Sequence, residues 1–94
     1  MDRRLQNLRD AERIAALNPE WTLFKVIGAR VDYLRLSREP LASNVDVTCG
    51  FGYKTWAAWR GDEKMGYRYH SPGAAISALG YKINEDRFTS GEGQ

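Results

Sequence analysis

From Trp21 to Tyr69 the chain consists mostly of residue types that favour β-strands, and a helical segment stands on either side. Val, Ile, Thr and aromatic side chains are frequent in Trp21–Leu36 and Val45–Tyr69, and the polar loop SREPLASN separates the two stretches. Strands that follow one another without intervening helices pair as an antiparallel sheet. We therefore predict a single α+β domain, in which an antiparallel sheet of three to four strands carries two helices on one face.

The two flanking helices have recognisable ends. Leucine, isoleucine and alanine recur at helical spacing over residues 3–17, and Asn18-Pro19 ends that helix because the residue before a proline avoids the α region. Ser71 is a good N-cap and Pro72 suits the first helical position, which predicts a second helix over residues 72–79. The sheet is therefore expected to lie between these helices in the sequence.

Within the β region the sequence predicts one hairpin clearly. RGDE at residues 60–63 is typical of a turn between the strand Tyr53–Trp59 and a return strand in which Met65, Tyr67 and Tyr69 alternate. The stretch Trp21–Leu36 is too long for one ordinary strand, and Gly28 indicates a bend, bulge or turn inside it.

The stretch CGFGYKTW at residues 49–56 has the glycine and aromatic spacing of the RNA-binding strand of an RRM domain. An RRM, however, begins with a strand and passes from this strand into a helix, whereas here a helix comes first and another strand follows. The order helix, strands, helix also matches a double-stranded-RNA-binding domain. Residues 71–79 contain no Lys or Arg for the phosphates that such a domain clamps. Both interpretations are set aside.

Residues suited to catalysis or to metal binding are few. The single cysteine, Cys49, and the single histidine, His70, cannot form a tetrahedral zinc site or an internal disulfide. Asp62 and Glu63 are paired carboxylates, but they fall in a turn that is predicted to be exposed. The sequence therefore predicts no enzyme, no cofactor and no metal.

The remaining candidate site is the surface of the predicted hairpin. Aromatic residues alternate there with Lys and Arg, a composition typical of protein-binding hot spots and equally suited to stacking on single-stranded bases. The candidate binding residues are Lys54, Trp59, Arg60, Asp62, Glu63, Lys64 and Arg68. Which of the hairpin's aromatic residues face the helices and which face outward is left open, because alternate residues on a strand point in opposite directions.

In element order the chain resembles small phage-encoded αβ-sandwich proteins of the phage ABA-sandwich type. The pieces that carry the resemblance are the helix Leu5–Leu17, Pro19-Glu20-Trp21, Trp56-Ala57-Ala58-Trp59, and the alanine-rich helix opened by Ser71-Pro72. They extend in order over residues 5–83. In size and in the absence of catalytic motifs the chain is similar to several anti-CRISPR proteins.

The resemblance and the exclusions together imply a non-enzymatic binding protein. We expect a phage or mobile-element inhibitor that occludes a host protein complex, such as a CRISPR effector. The alternative is a small nucleic-acid-binding domain that uses the helix arginines (Arg3, Arg4, Arg9 and Arg13) and the hairpin aromatics. Residues 1–83 are expected to form the domain and residues 84–94 a flexible tail. Without a signal or membrane-spanning segment, the protein is expected in the host cytoplasm.

Overall fold

The computed structural model describes residues 2–38 and 45–85. Its elements in chain order are α1 (Arg3–Leu17), β1 (Trp21–Val26), β2 (Tyr33–Arg38), β3 (Val45–Gly50), β4 (Trp56–Arg60), β5 (Glu63–Tyr69) and α2 (Pro72–Ala78). The strands form one antiparallel sheet in the order β1-β2-β3-β4-β5, so each strand pairs with the next one along the chain. The prediction of an α+β domain is confirmed.

The number of strands was predicted wrongly, since the sheet has five strands rather than three to four. The stretch Trp21–Leu36 folds back on itself, and β1 pairs with β2 in register from Trp21 opposite Arg38 to Val26 opposite Tyr33. Gly28 lies in the connecting turn, where a Cβ atom would stand 2.2 Å from the carbonyl oxygen of Val31. A side chain at this position would therefore clash with the backbone of its own turn.

The hairpin predicted at residues 60–63 is present, and Arg60 pairs with Glu63 across the two-residue loop Gly61-Asp62. Gly61 has a φ of 59°, the conformation that the first loop residue of a type II′ turn requires. The preceding strand was predicted too long, because β4 begins at Trp56 and not at Tyr53. Of the predicted loop at residues 37–44, Ser37 and Arg38 belong to β2, and the rest lies outside the described residues.

The core lies between the two helices and one face of the sheet. In β3 buried and half-buried residues alternate, as expected for a strand with one face on a core. The buried apolar side chains are Ala11, Ile14, Trp21, Leu34, Leu36, Val45, Val47, Cys49, Trp56, Ala58, Ala75, Ile76 and Leu79. Both helices therefore cover the same face, which leaves the opposite face without a helix in the described part of the chain.

Asn84 is held against the end of α1. Its backbone N–H donates to the Asn18 side chain at 2.6 Å, and its carbonyl oxygen accepts from Asn18 Nδ2 at 2.8 Å. The packed unit thus includes at least one residue beyond position 83. Residues 86–94 of the predicted tail lie outside the described residues.

Candidate binding surface on the open sheet face

The sheet face opposite the helices, here called the open face, collects the outward side chains of all five strands. Strand alternation and the observed register place these residues side by side, for example Phe24 opposite Arg35 and Arg35 opposite Thr48. The open face consists of Thr22, Phe24, Tyr33, Arg35, Ser37, Asp46, Thr48, Gly50, Ala57, Trp59 and Lys64, with Tyr67 beside Lys64. It is therefore rich in aromatic and hydrogen-bonding groups rather than aliphatic ones.

One side of the open face carries a cluster of cations and aromatic rings. The Lys64 ammonium lies 5.3 Å from the ring centroid of Trp59 and 5.4 Å from that of Tyr67. The Arg68 guanidinium lies 5.2 Å from the centroid of the Tyr67 ring, and Tyr67 is 57% exposed. Trp59 is fixed by its indole N–H, which donates to the Thr48 hydroxyl oxygen at 2.9 Å. Positive charge is therefore held beside accessible ring faces.

Arg35 lies near the centre of the open face with a donor that has no acceptor. Its guanidinium packs 4.9 Å from the centroid of the Phe24 ring. Its Nε–H is shielded from solvent and has no hydrogen-bond partner among the described residues. A shielded donor without an acceptor destabilises a fold by about 1–3 kcal/mol, and such a group in a native structure calls for an explanation. An acceptor from a bound molecule reaches this N–H once the Arg35 side chain turns outward, and it would then relieve this cost.

Asp46 is a diagonal neighbour of Arg35, because Ser37 pairs with Asp46 while Arg35 pairs with Thr48. One Asp46 carboxylate oxygen accepts a hydrogen bond from the Ser37 hydroxyl. The ion pairs within residues 2–38 and 45–85 are Arg4–Asp2 and Arg13–Asp10, so Arg35 and Asp46 are not paired with each other. The open face thus presents a cation and a carboxylate side by side, each with hydrogen-bonding capacity left over.

Arg35 and Asp46 share a cleft of about 380 Å³ in the open face. Its lining residues are Val31, Tyr33, Arg35, Asp46, Thr48, Gly50, Tyr53, Trp59 and Gly61. The Tyr53 ring lies directly over Gly50, where a Cβ atom would be only 2.9 Å from the ring. This volume falls at the lower end of the range for small-molecule sites, which suits a single planar ring.

A second, apolar cleft of about 210 Å³ lies where the β1–β2 turn approaches α1. The apolar end, as we call it, consists of Leu8, Val26, Ile27 and Phe51. Ile27 is 88% exposed, which is unusual for a large aliphatic side chain in a small folded domain. Such a residue, next to an apolar cleft, is typical of a protein contact site.

The structure brings together only part of the predicted site. Trp59 and Lys64 lie on the open face, and Arg68 adjoins it through Tyr67. The other four predicted residues, Lys54, Arg60, Asp62 and Glu63, lie elsewhere: Lys54 in the β3–β4 connection, Asp62 in the hairpin turn and Glu63 at the start of β5.

Arg60 has a structural role instead of a place on the open face. Its guanidinium donates to the Leu79 carbonyl oxygen at 2.7 Å, just past the last residue of α2. A cation at this position stabilises the negative end of the helix dipole. Arg60 is nevertheless exposed, so a contact with a partner stays a prediction for this residue.

Sequence reasoning missed Tyr33, Arg35, Asp46 and Thr48. A signal for them is present in the strands, because each of these residues alternates with an apolar neighbour in β2 or β3. Alternation marks them as outward-facing, but it does not show that the two strands place them in one cleft.

Cys49 is on the helix-covered side, buried in the core. Burial raises the pKa of its thiol from 9.0 to about 11, and the charge of Arg3 lowers it in part. The thiol donates to the carbonyl oxygens of Gly50 and Tyr53 at 3.4 and 3.6 Å. These features keep the thiol protonated, which is the opposite of what a nucleophile needs.

We expect Cys49 to react with iodoacetamide at pH 8 at least about a hundred-fold more slowly in the folded protein than in the unfolded chain. The raised pKa alone lowers the thiolate fraction by about that factor. Mass spectrometry of alkylated protein with and without urea measures the two rates. Equal rates would contradict the burial of this thiol.

The raised pKa of Cys49 also makes the free energy of unfolding depend on pH. Between pH 9.0 and about 11 the folded protein holds the Cys49 proton more tightly than the unfolded chain does. This group's contribution to the free energy of unfolding is therefore present below pH 9.0 and is lost as the pH rises toward about 11.

Within the described ranges, no helix is long and apolar enough to cross a bilayer, and no group of three or more His, Cys, Asp or Glu side chains is placed to hold a metal ion. Comparisons of the chain with protein-family models, curated proteins and solved structures found no match. Function is therefore inferred from the geometry of the open face.

Proposed function

We propose that this protein binds single-stranded nucleic acid through the open face, without catalysing a reaction. The observation that carries the proposal is the Lys64 ammonium beside the rings of Trp59 and Tyr67, on a sheet face that no helix covers within residues 2–38 and 45–85. Bases stack on exposed aromatic side chains whatever their sequence, and cations beside those rings bind the phosphates. Because Lys64 is exposed, its side chain can move from the rings to a phosphate when a base stacks.

The charge balance of the open face supports this choice of partner. Arg35, Lys64 and the adjoining Arg68 contribute three positive charges, and Asp46 contributes one negative charge. A protein that imitates nucleic acid would instead present clustered carboxylates. Asp62 and Glu63 are adjacent residues at one end of the hairpin and do not extend over the sheet.

The arginines of α1 belong to a different surface. α1 packs on the covered side of the sheet through Ala11 and Ile14, whereas the hairpin aromatics Trp59 and Tyr67 lie on the open face. A single short oligonucleotide therefore does not contact both sets. The proposal uses the hairpin aromatics and replaces the helix arginines with Arg35, Lys64 and Arg68.

A host protein complex is the second candidate partner, and the apolar end favours it. An 88% exposed isoleucine beside an apolar cleft suits a protein surface better than a nucleic acid. In this version the chain is a phage or mobile-element inhibitor that blocks a host machine, for example a CRISPR effector. The resemblance in element order to small phage proteins supports it.

Salt dependence tests the nucleic-acid proposal. We expect the affinity for a fluorescein-labelled 12-nucleotide single strand to fall with salt, with a slope of log K against log salt of about −1.4 for the two phosphate-binding cations Lys64 and Arg68. Lys64→Gln should reduce the steepness by about 0.7, because one phosphate contact is lost. Trp59→Leu should weaken binding about ten-fold or more at an unchanged slope, because it removes stacking and no charge.

Ile27→Ser is the matched control, since Ile27 lies at the apolar end and not on the open face. Fluorescence anisotropy should give the same affinity for this variant as for the unchanged protein. The proposal fails if no oligonucleotide binds at low salt, or if Trp59→Leu and Lys64→Gln bind as well as the unchanged protein. Circular dichroism confirms that each variant is folded.

The same variants separate the second candidate in a pull-down from nuclease-treated host lysate. A protein partner that docks on the apolar end should be retained by the unchanged protein and by Trp59→Leu, and lost with Ile27→Ser. If the protein partner is lost with Trp59→Leu but not with Ile27→Ser, the protein contact lies on the open face instead.

A further inference from the structure

The cleft that contains Arg35 and Asp46 places two groups of opposite charge on one sheet face, and these groups are not ion-paired with each other. From this geometry we infer that the cleft selects a guanine base, an inference that rests on the proposed binding of single-stranded nucleic acid. The two groups bind different edges of a ligand. Arg35 donates hydrogen bonds to an acceptor, and Asp46 accepts hydrogen bonds from a donor. A ligand with both edges in one plane would satisfy them together.

Arg35 matches the Hoogsteen edge of guanine. That edge carries the acceptors O6 and N7, and the planar guanidinium fork is the side chain that most often pairs with it. The shielded Nε–H of Arg35 is a donor without an acceptor in the described part of the chain. Adenine offers N7 beside an amino group, so it supplies one acceptor and one donor to the same fork.

Asp46 matches the other edge of guanine. An ionised carboxylate only accepts hydrogen bonds, and guanine presents the N1–H and N2 amino donors next to each other. One Asp46 oxygen already accepts from Ser37, which orients the carboxylate and leaves further lone pairs for a ligand. Cytosine and uracil have no pair of adjacent ring and amino N–H donors, so they cannot satisfy the carboxylate in this way.

Aromatic rings in the same cleft supply the stacking. Tyr33, Tyr53 and Trp59 are among its lining residues, and Tyr53 is 57% exposed. The Thr48 hydroxyl accepts the Trp59 indole N–H, so the indole is held beside the two charged groups. The cleft therefore combines a stacking surface with the donor and acceptor that guanine requires.

The test compares the four ribonucleoside monophosphates with two guanine analogues, measured by isothermal titration calorimetry. Inosine monophosphate lacks the N2 amino donor, and 7-deazaguanosine monophosphate lacks the N7 acceptor. We expect the guanine nucleotide to bind about ten-fold tighter than the adenine, cytosine and uracil nucleotides. Each analogue should lose part of that advantage.

Two conservative variants assign the contacts. Asp46→Asn can still accept from Ser37, and it should abolish the preference for guanine over hypoxanthine while the preference over 7-deazaguanine remains. Arg35→Met should do the reverse. Thr22→Val, on the open face but outside the cleft, is the control and should keep both preferences.

Failure of this inference is distinguishable from failure of the proposed function. Equal binding of all four nucleotides, with retained binding of the 12-nucleotide strand, overturns guanine selection and leaves the function standing. Absence of binding by both the nucleotides and the strand overturns both. A guanine preference that survives both Asp46→Asn and Arg35→Met also overturns the assignment to this cleft.

Discussion

Replacing Trp56 by alanine is expected to lower the free energy of unfolding by about 3–5 kcal/mol. Trp56 is 1% exposed, belongs to the core cluster and pairs with Tyr69 across the β4–β5 ladder. Its removal leaves a cavity between the sheet and the helices that the surrounding strands cannot fill. Because small domains have about 5–15 kcal/mol of stability in total, the variant should be close to unfolding at 25 °C. Urea denaturation followed by circular dichroism measures the change.

Trp59→Ala is the matched control, because the two tryptophans lie three residues apart on the same strand. Trp59 lies on the open face and is only half-buried, so its loss should cost about 1 kcal/mol. The two variants are therefore expected to differ in what they lose: Trp56→Ala lowers the free energy of unfolding, whereas Trp59→Ala lowers the affinity for single-stranded nucleic acid. Equal losses of stability would show that the two faces of β4 are buried alike, contrary to the structure.

Local signals in the sequence were sufficient for the helices and for one hairpin. The predicted helix 3–17 coincides with α1, because an amphipathic repeat leads directly into Asn18-Pro19. Ser71 is the N-cap of α2, and its hydroxyl accepts from the Ala74 N–H at 3.1 Å. These features depend on a few neighbouring residues, which is why a sequence pattern identifies them.

The turn between β1 and β2 was indicated by Gly28, but its extent over residues 27–32 could not be predicted in the same way. It contains Ile27 and Val31, which have strand propensity and are nevertheless exposed in the structure. Propensity scales measure how well a residue fits a half-buried strand. A turn that contains apolar residues is therefore predicted as part of a strand. The same effect extended the predicted strand before the RGDE turn back to Tyr53, whereas β4 begins at Trp56.

In β5 the alternation of residue types in the sequence does not predict which side chains are buried, and the reason is different. Met65, Tyr67 and Tyr69 alternate in the sequence, yet Met65 and Tyr67 are exposed while Tyr69 packs against the core. The β4–β5 register shifts twice, and Arg68 has a positive φ of 76°. Each extra residue in a strand reverses the direction of the side chains that follow it. The outward face of this hairpin therefore depends on irregularities that a simple period of two does not include.

The candidate site was predictable only where its residues are close in the sequence. Trp59, Lys64 and Arg68 belong to one hairpin and were found by composition. Arg35 and Asp46 come from different strands, and only the register of β2 and β3 makes them neighbours. The absence of an ion pair between them among the described residues is a property of the folded sheet.

Replacing Asn18 by alanine is expected to lower the free energy of unfolding by about 2–4 kcal/mol, although the residue is polar and ends a helix. Asn18 is 1% exposed, and its amide donates to the carbonyl oxygens of Ile14 and Asn84 at 2.9 and 2.8 Å. Its Oδ1 accepts from the Asn84 N–H at 2.6 Å. Alanine leaves these backbone groups without partners, and an unsatisfied buried group costs more than a hydrogen bond contributes.

Asn84→Ala is the control that separates this bridge from ordinary surface contacts. Asn84 bonds to Asn18 through its backbone, which alanine retains, and its exposed side chain donates only to the Leu17 carbonyl at 3.3 Å. We expect a loss of less than about 0.5 kcal/mol, as for most surface substitutions. Urea denaturation of both variants measures the difference. If Asn84→Ala is as destabilising as Asn18→Ala, the side chain of Asn18 is not what joins α1 to the segment after α2.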